Sequence, residues 1–508
     1  GRRRAGREGR AGGRALNGAP ASRPTDARDE RPHNPDRMTN TSTAIRSALG
    51  ELKTTTRAFF SSPRALWGLN VPYLLEGISY FGVLTLLMKL LSENLGLGDV
   101  RAGIVVSLFT GGITFAMFFL GELGDRFGTR RVLLLSISVM AVGRVLLTAA
   151  GRLPGGGLAS PAFLVTALGL LVVVVGFGTF QPALFSAVKQ YSDPSTSAVA
   201  FGVIYGLNNL GAFLAGFLSP IVREASANAF PPNGIQGVYA LYAVLTFVSI
   251  AVTALLLTPG LVKEALARRP ASAALEAAAS AGEKPRVFSA RWVAEHPLRD
   301  ARFAFFVFIL IPVQTLFAHN WLTLPLYIDR AFVPWVSSRF ELFSNLSPLL
   351  VFLLAPVVAA LTAKKDPLDM MQWGTLVMAL PTFLLVLGPS PAALFAFIVL
   401  MTVGESMWQP RFYHYVTELA PPGRAGAYVG IGQFPWFLTK FLTGLYAGWF
   451  LQRYCPAGGP YRTETMWLIY GGIAMVTPVA LILARGWLRA GVRPTANGEA
   501  AGAGDGAA

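Results

Sequence analysis

The chain has 508 residues and a formal net charge of +16, yet 53% of its residues are hydrophobic and only 14% are charged. So apolar a composition excludes an ordinary soluble domain and predicts a protein that crosses a lipid bilayer many times. The basic excess does not call for nucleic acid: much of it lies in the N-terminal tail and in loops on one predicted membrane side, where topology and anionic headgroups account for it.

Residues 1–65 read as a basic N-terminal tail. The first 37 positions are rich in Arg, Gly, Ala and Pro, have almost no large apolar side chains, and are expected to be disordered. A polar start, MTNTSTAIRS, begins at Met38, the expected initiator, and no secretory signal follows the basic run. Twelve apolar segments come next, at about 66–91, 101–121, 131–150, 161–187, 199–222, 237–258, 303–328, 341–363, 370–388, 391–416, 427–451 and 465–485. Each is close to the twenty or so residues that cross a hydrocarbon core as a helix.

The longest interruption, 259–302, follows the sixth segment. It is rich in Ala, Arg and Glu, is broken by Pro270, Pro285 and Pro297, and reads as a cytoplasmic linker. The prediction is therefore an all-α membrane protein with six-helix bundles at 66–258 and 303–485 and a tail at 486–508. Basic residues such as Arg126, Arg130, Arg131, Lys189, Lys364, Lys365 and Arg424 concentrate in the loops of one side, which places both termini in the cytoplasm.

A charge at mid-membrane depth costs about 2.5–3.5 kcal/mol on insertion scales, so each one asks for a partner or a task. Four stand out: Glu76 in the first segment, Arg144 in the third, Glu405 in the tenth and Lys440 in the eleventh. They pair as structural ions or they serve a function. Glu405 and Lys440 are expected to meet across neighbouring helices, and Arg144 would hold Glu76 ionised if it lies close. Hydrogen-bonding groups gather at similar depth: Gln181 between Gly178 and Pro182, Tyr205 and Asn209 in the fifth segment, Gln314, His319 and Asn320 in the seventh, and Trp408 in the tenth. Cys455 is the only cysteine, is expected in an outer loop open to reagents, and with four scattered histidines leaves no metal cluster. No nucleophile–base set and no cofactor motif is present, so neither an enzyme nor a cofactor is expected.

Between the second and third segments stands Gly121–Arg131, GELGDRFGTRR, which packs Glu122, Asp125, Arg126, Arg130 and Arg131 into a short turn. Its order Gly-x-x-x-Asp-Arg-x-Gly-x-Arg-Arg resembles the loop joining helices 2 and 3 in the major facilitator superfamily. That resemblance implies a conformational latch formed by Gly121, Asp125, Arg126, Gly128, Arg130 and Arg131, with Asp125 near the start of the eleventh helix around Gly426. It also implies that helices 1, 4, 7 and 10 line a central cavity.

Four further places resemble one branch, the proton-dependent oligopeptide transporters. These are Glu76-Gly-Ile-Ser-Tyr-Phe-Gly82, Gly178-Thr-Phe-Gln-Pro182, Ile204-Tyr-Gly-Leu-Asn-Asn-Leu-Gly211, and Gly404-Glu405 followed by Ala420-Pro421. The branch implies proton coupling at Glu76 and Glu405, and substrate contacts from Tyr80, Gln181, Tyr205, Asn209, Gln314, Asn320, Trp408 and Glu405. The departures are pointed. Tyr73 and Gly77 replace an acid and an arginine of the branch's first helix, and Gln181 replaces its lysine, so the fixed cations that would clamp a carboxylate are gone. Acids with few cations suit a cationic or neutral solute, unless Lys440 or Arg144 supplies the charge.

The expectation is a monomeric secondary transporter of the bacterial inner membrane, driven by a proton gradient and symporting a peptide-like or other small polar solute. An exporter of cationic or amphipathic compounds and a transporter-like sensor that binds without moving its ligand are the alternatives.

Overall fold

In hydrocarbon no water satisfies a backbone N–H or C=O, so each apolar run must close its hydrogen bonds within a helix. The computed structural model describes residues 64–490, apart from 121–122, 124–126, 193–196, 268–295, 363–364, 420–427, 429–430 and 433, together with Gly50. Residues 44–508 form one unit by contact. The first six spanning helices are α1 Arg64–Lys89, α2 Gly98–Leu120, α3 Thr129–Ala150, α4 Pro161–Tyr191, α5 Ser197–Ser226 and α6 Ile235–Leu256. The second six are α7 Ala301–Leu322, α8 Leu346–Leu361, α9 Pro367–Ala379 with a 3-10 continuation to Leu387, α10 Pro391–Leu419, α11 Phe434–Tyr454 and α12 Thr463–Leu483. Among the described residues eleven helices are long and apolar enough to cross a bilayer. The remaining member of the twelve is α11, a 21-residue helix that carries Lys440 and packs between α2 and α7.

Within the first bundle α1 packs on α5 and α6, and α3 on α4 and α6; within the second, α10 packs on α8 and α9, and α7 on α11 and α12. The bundles meet along two seams, α2 on α11 and α5 on α8. Phe115, Phe118, Leu135, Leu171, Leu255 and Leu483 stay exposed, as residues facing lipid do. Of the predicted linker, the structure describes a short helix, Pro259–Ala267, and a 3-10 turn, Pro297–Arg299.

Helix α7 is broken at Leu310 because Pro312 follows it. Thr477 of α12 repairs the break: its hydroxyl donates to the Ile309 carbonyl at 2.7 Å and accepts from the Val313 N–H at 3.1 Å. A second break at Thr323 starts the short helix Leu324–Ala331, which carries Asp329 and Arg330 out to the far face, the face reached at the end of α1.

The α2–α11 seam depends on glycine. Without a driving force from water, helices in lipid associate through close packing, which small residues permit. A Cβ on Gly448 would overlap the Asp99 carbonyl, and one on Gly444 the Ser107 side chain. Overpacking of this kind costs about 1–3 kcal/mol. Gly448→Val is therefore expected to lower the melting temperature in detergent, and an unchanged melt would show that the seam is not tight.

Candidate functional site

Three groups of polar residues lie inside the bundles. The first is in the N-terminal half. Arg144 of α3 donates from Nη1 to Glu76 Oε2 at 2.6 Å and also to the Thr246 hydroxyl of α6. Both charged side chains are essentially inaccessible, at 0% and 1% exposure. The contact uses one nitrogen and one oxygen and leaves Glu76 Oε1 and Arg144 Nε and Nη2 without hydrogen-bond partners among the described residues. Glu76 thus sits between α1, α3 and α6 in a structural ion pair. Of the alternatives drawn from the sequence, Arg144 does lie close: the arginine missing from the acid's own helix is matched by one from α3.

The second group occupies the interior between the bundles. Trp408 of α10 and Trp436 of α11 stack with centroids 6.5 Å apart, and Phe317 of α7 touches both. Glu405 precedes Trp408 by three residues on a helix running away from the far face, and Lys440 follows Trp436 by four on a helix running toward it. Both therefore lie about one turn, roughly 5 Å, above the tryptophan stack. Asn320 and Trp321 of α7 share that layer, one turn beyond Phe317, and the Trp321 ring lies 5.5 Å from Phe81 of α1.

Glu405 is 6% exposed, beside Ser347 of α8, on the side of α10 from which Gln409 reaches across to Tyr205 of α5. On α11, Leu442, Leu445 and Trp449 are exposed, Gly444 and Gly448 face α2, and Thr439 and Tyr446 bond α7. Lys440 is two residues from Leu442, a rotation of about 200°, and so points inward between α2 and α7. Glu405 and Lys440 do not form the expected ion pair, and among the described residues neither pairs with any other charge. α10 packs chiefly on α8 and α9, and α11 on α2 and α7; among the described residues the two helices meet through the stack of Trp408 on Trp436, one turn from the charges.

The other predicted residues are divided. Tyr80 is buried, its ring stacked 4.5 Å from Phe177 and 6.4 Å from Phe109. Gln181 is half-buried. The Tyr205 hydroxyl donates to Gln409 Oε1 at 2.9 Å, and Asn209 bonds back to the Tyr205 carbonyl at 3.0 Å. Gln314 Oε1 accepts from Thr439 at 3.2 Å while its Nε2 has no partner among the described residues. Asn320 is 6% exposed. Trp408 donates to Met378 Sδ at 3.2 Å. Of the latch, Gly121, Asp125 and Arg126 lie outside the described residues. Gly128 takes φ 86° before α3, Arg130 donates from Nε to the Leu257 carbonyl at 2.5 Å, and Arg131 is exposed.

The third group, at the far face, was not singled out from the sequence. Arg330 engages Asp99 through two N–H groups at 2.7 and 2.8 Å, Glu93 at 3.0 Å, and the Cys455 carbonyl at 2.9 Å. Lys89 pairs with Asp329, and Arg223 with Glu341 at 2.5 Å. Each of these ion pairs joins one bundle to the other. A guanidinium fork matched to a carboxylate is the strongest form such a bond takes, so the far face is closed by charge. In sequence these residues pass as ordinary loop charges; the only signal was that opposite signs recur at the ends of α1, α2 and α7.

Cys455 belongs to this closure. It is fully buried, against the expectation of an accessible loop cysteine, because its segment folds back beneath Arg330. Burial pushes its thiol up to about 12, so little thiolate forms near neutral pH.

Two predictions follow from this geometry. Glu76→Gln leaves a buried guanidinium uncompensated and should cost about 3–5 kcal/mol of stability, whereas Glu76→Gln combined with Arg144→Met should cost less. Thermal melts in detergent decide it, and additive losses would mean that the pair is not coupled. Arg330→Gln should open the far face, and maleimide labelling of Cys455 in the purified protein should accelerate by roughly tenfold or more, equivalent to about 1.4 kcal/mol lost by the closed state. Equal labelling rates would show that Arg330 does not hold this face shut.

Comparison with known proteins agrees with the geometry. The profile of the Major Facilitator Superfamily matches residues 71–444. Among solved structures, a peptide transporter in complex with sulfate aligns with a TM-score of 0.64 at 21% identity, covering 86% of this chain and 97% of that one. A bacterial homologue of the human drug peptide transporters aligns with a TM-score of 0.59 at 20% identity, covering 84% and 98%. At these identities the likeness is one of fold. Dipeptide and tripeptide permease A of Escherichia coli is 26% identical over 165 residues, 32% of this chain and 31% of that protein, and the counterpart from Cronobacter turicensis is 25% identical over 169 residues, 32% of each. The chain thus spans about a third of the length of these curated relatives. With two six-helix bundles, a polar interior between them and a profile match over more than half of its length, the chain belongs to the major facilitator superfamily.

Proposed function

We propose that this protein is a secondary transporter that moves a small peptide-like solute together with protons, by rocking 66–258 against 303–485. Relatives named as dipeptide and tripeptide permeases and the peptide-transporter fold support the solute class. Basic loops on the near face support an orientation with both termini in the cytoplasm, in a bacterial inner membrane. Both bundles and the interior between them come from one chain, which supports a monomer as the transporting unit.

The observation that carries the coupling is Glu405: a carboxyl 6% exposed, turned toward the interior, with no base paired to it among the described residues. A carboxyl in such surroundings gains and loses a proton without breaking an ion pair. Glu76 would first have to leave Arg144, so we place the coupling proton on Glu405 and give Glu76 a structural role. The ion pairs of the far face support alternation, since they close one side and must break for the other state.

Glu405→Gln imitates the protonated acid. In proteoliposomes it should abolish accumulation of labelled dialanine on a pH gradient while leaving counterflow at equal pH, because exchange does not require proton release. A Gln variant that still concentrates dialanine would move the coupling site elsewhere.

A further inference from the structure

Among the described residues, Lys440 is a cation within a spanning helix that meets no acid. Lys89, Arg144, Arg223 and Arg330 each meet an acid at bonding distance. Lys440 meets none among the described residues, although it stands in the middle of a spanning helix. Its direction is settled by its neighbours, with lipid-facing Leu442 and Trp449 behind it, α2 on one side and α7 on the other. A lysine held away from lipid and from headgroups, without a carboxylate, keeps its charge at a cost that an entering anion offsets, and is otherwise neutral.

Its layer is equipped for such a guest. Asn320 of α7 is 6% exposed and makes no side-chain hydrogen bond among the described residues. The Trp321 indole N–H, in the same turn, is buried and has no acceptor among the described residues. One turn toward the near face, the stack of Trp408, Trp436 and Phe317 makes an apolar floor. A cation and two unused N–H donor groups above an aromatic floor match a carboxylate followed by a short apolar body. They do not match a cationic solute, for which Lys440 would be repulsive.

We infer that Lys440 is the receptor for the substrate's carboxylate, an anion site on α11 with Asn320 and the Trp321 indole as its supporting donors. This rests on the proposed solute class and narrows it to small solutes bearing a free carboxylate. Lysine is suited to the role as a compact point charge on a flexible stem that follows the anion as the bundles rock.

The test uses purified full-length protein and three probes: dialanine, dialanine amide and N-acetyl-dialanine, with binding measured by calorimetry and uptake in proteoliposomes. The wild type should bind dialanine and its N-acetyl form roughly 10–100-fold more tightly than the amide, the range expected of one or two charge-assisted hydrogen bonds. Lys440→Met and the more polar Lys440→Gln should lose that preference while binding the amide as the wild type does, and Lys440→Arg should restore it. Amide affinity serves as the check that each variant is folded. A wild type that does not distinguish acid from amide, or does not bind dialanine, overturns the inference. So do variants that keep the preference, or that lose acid and amide equally. If dialanine binds in a Lys440-dependent way but is not accumulated on a pH gradient, the anion site stands and the symport reading fails. Accumulation that is indifferent to Lys440 gives the reverse.

Discussion

Hydrocarbon does not solvate charge, and that constraint organises this molecule. Every ionised group carried into the bilayer needs a partner of opposite sign, a route to water, or a ligand. Arg144 and Glu76 satisfy each other through one 2.6 Å contact between α3 and α1. In doing so they remove from the interior both the arginine and the acid that a reading of the separate helices would have placed there. Glu405 and Lys440, which pair with no charge among the described residues, stand on helices that pack chiefly on other partners. An acid and a base at one level but unpaired are the features on which the proposed proton and anion sites rest.

The two bundles are held together by interactions of different kinds. Along α2 and α11 the contact is steric: glycines let the backbones approach, and the close fit persists only while the helices keep their spacing. At the far face it is electrostatic, through Arg330 with Asp99 and Glu93, Lys89 with Asp329, and Arg223 with Glu341. Ion pairs are directional and reform elsewhere, whereas packed seams tolerate only small sliding. A molecule that must open and reclose one face is well served by charge at that face and by small residues along the seam. The burial of Cys455 beneath Arg330 makes the same closure visible in the reactivity of a single thiol.

Much of the fold was legible residue by residue. The apolar runs predicted α3 at 131–150 and α12 at 465–485, within two residues of Thr129–Ala150 and Thr463–Leu483. Another run was less exact. The seventh segment, drawn as one helix, is broken at Leu310 and again at Thr323. The candidate site was half legible. Glu405, Lys440, Asn320 and Trp408 were singled out because polar groups are rare in such runs, and they share one interior region. Tyr80 belongs instead to an aromatic cluster with Phe177 and Phe109. Arg330 and Asp99 were passed over, since a charge at a helix end looks the same whether it is solvated or clasped.

The sequence by itself determined the number and order of the spanning helices, their division into two bundles and the inventory of charges placed in the membrane. Those properties depend on local apolarity, and each run must close its own backbone hydrogen bonds whatever surrounds it. Only the tertiary structure decided which charges meet. Arg144 reaches Glu76 because α3 and α1 both border α6, whereas Glu405 and Lys440 do not pair although Trp408 and Trp436, one turn away, bring α10 and α11 into contact. Pairing depends on the rotation and neighbours of whole helices, and neither is encoded in the few residues around a charge.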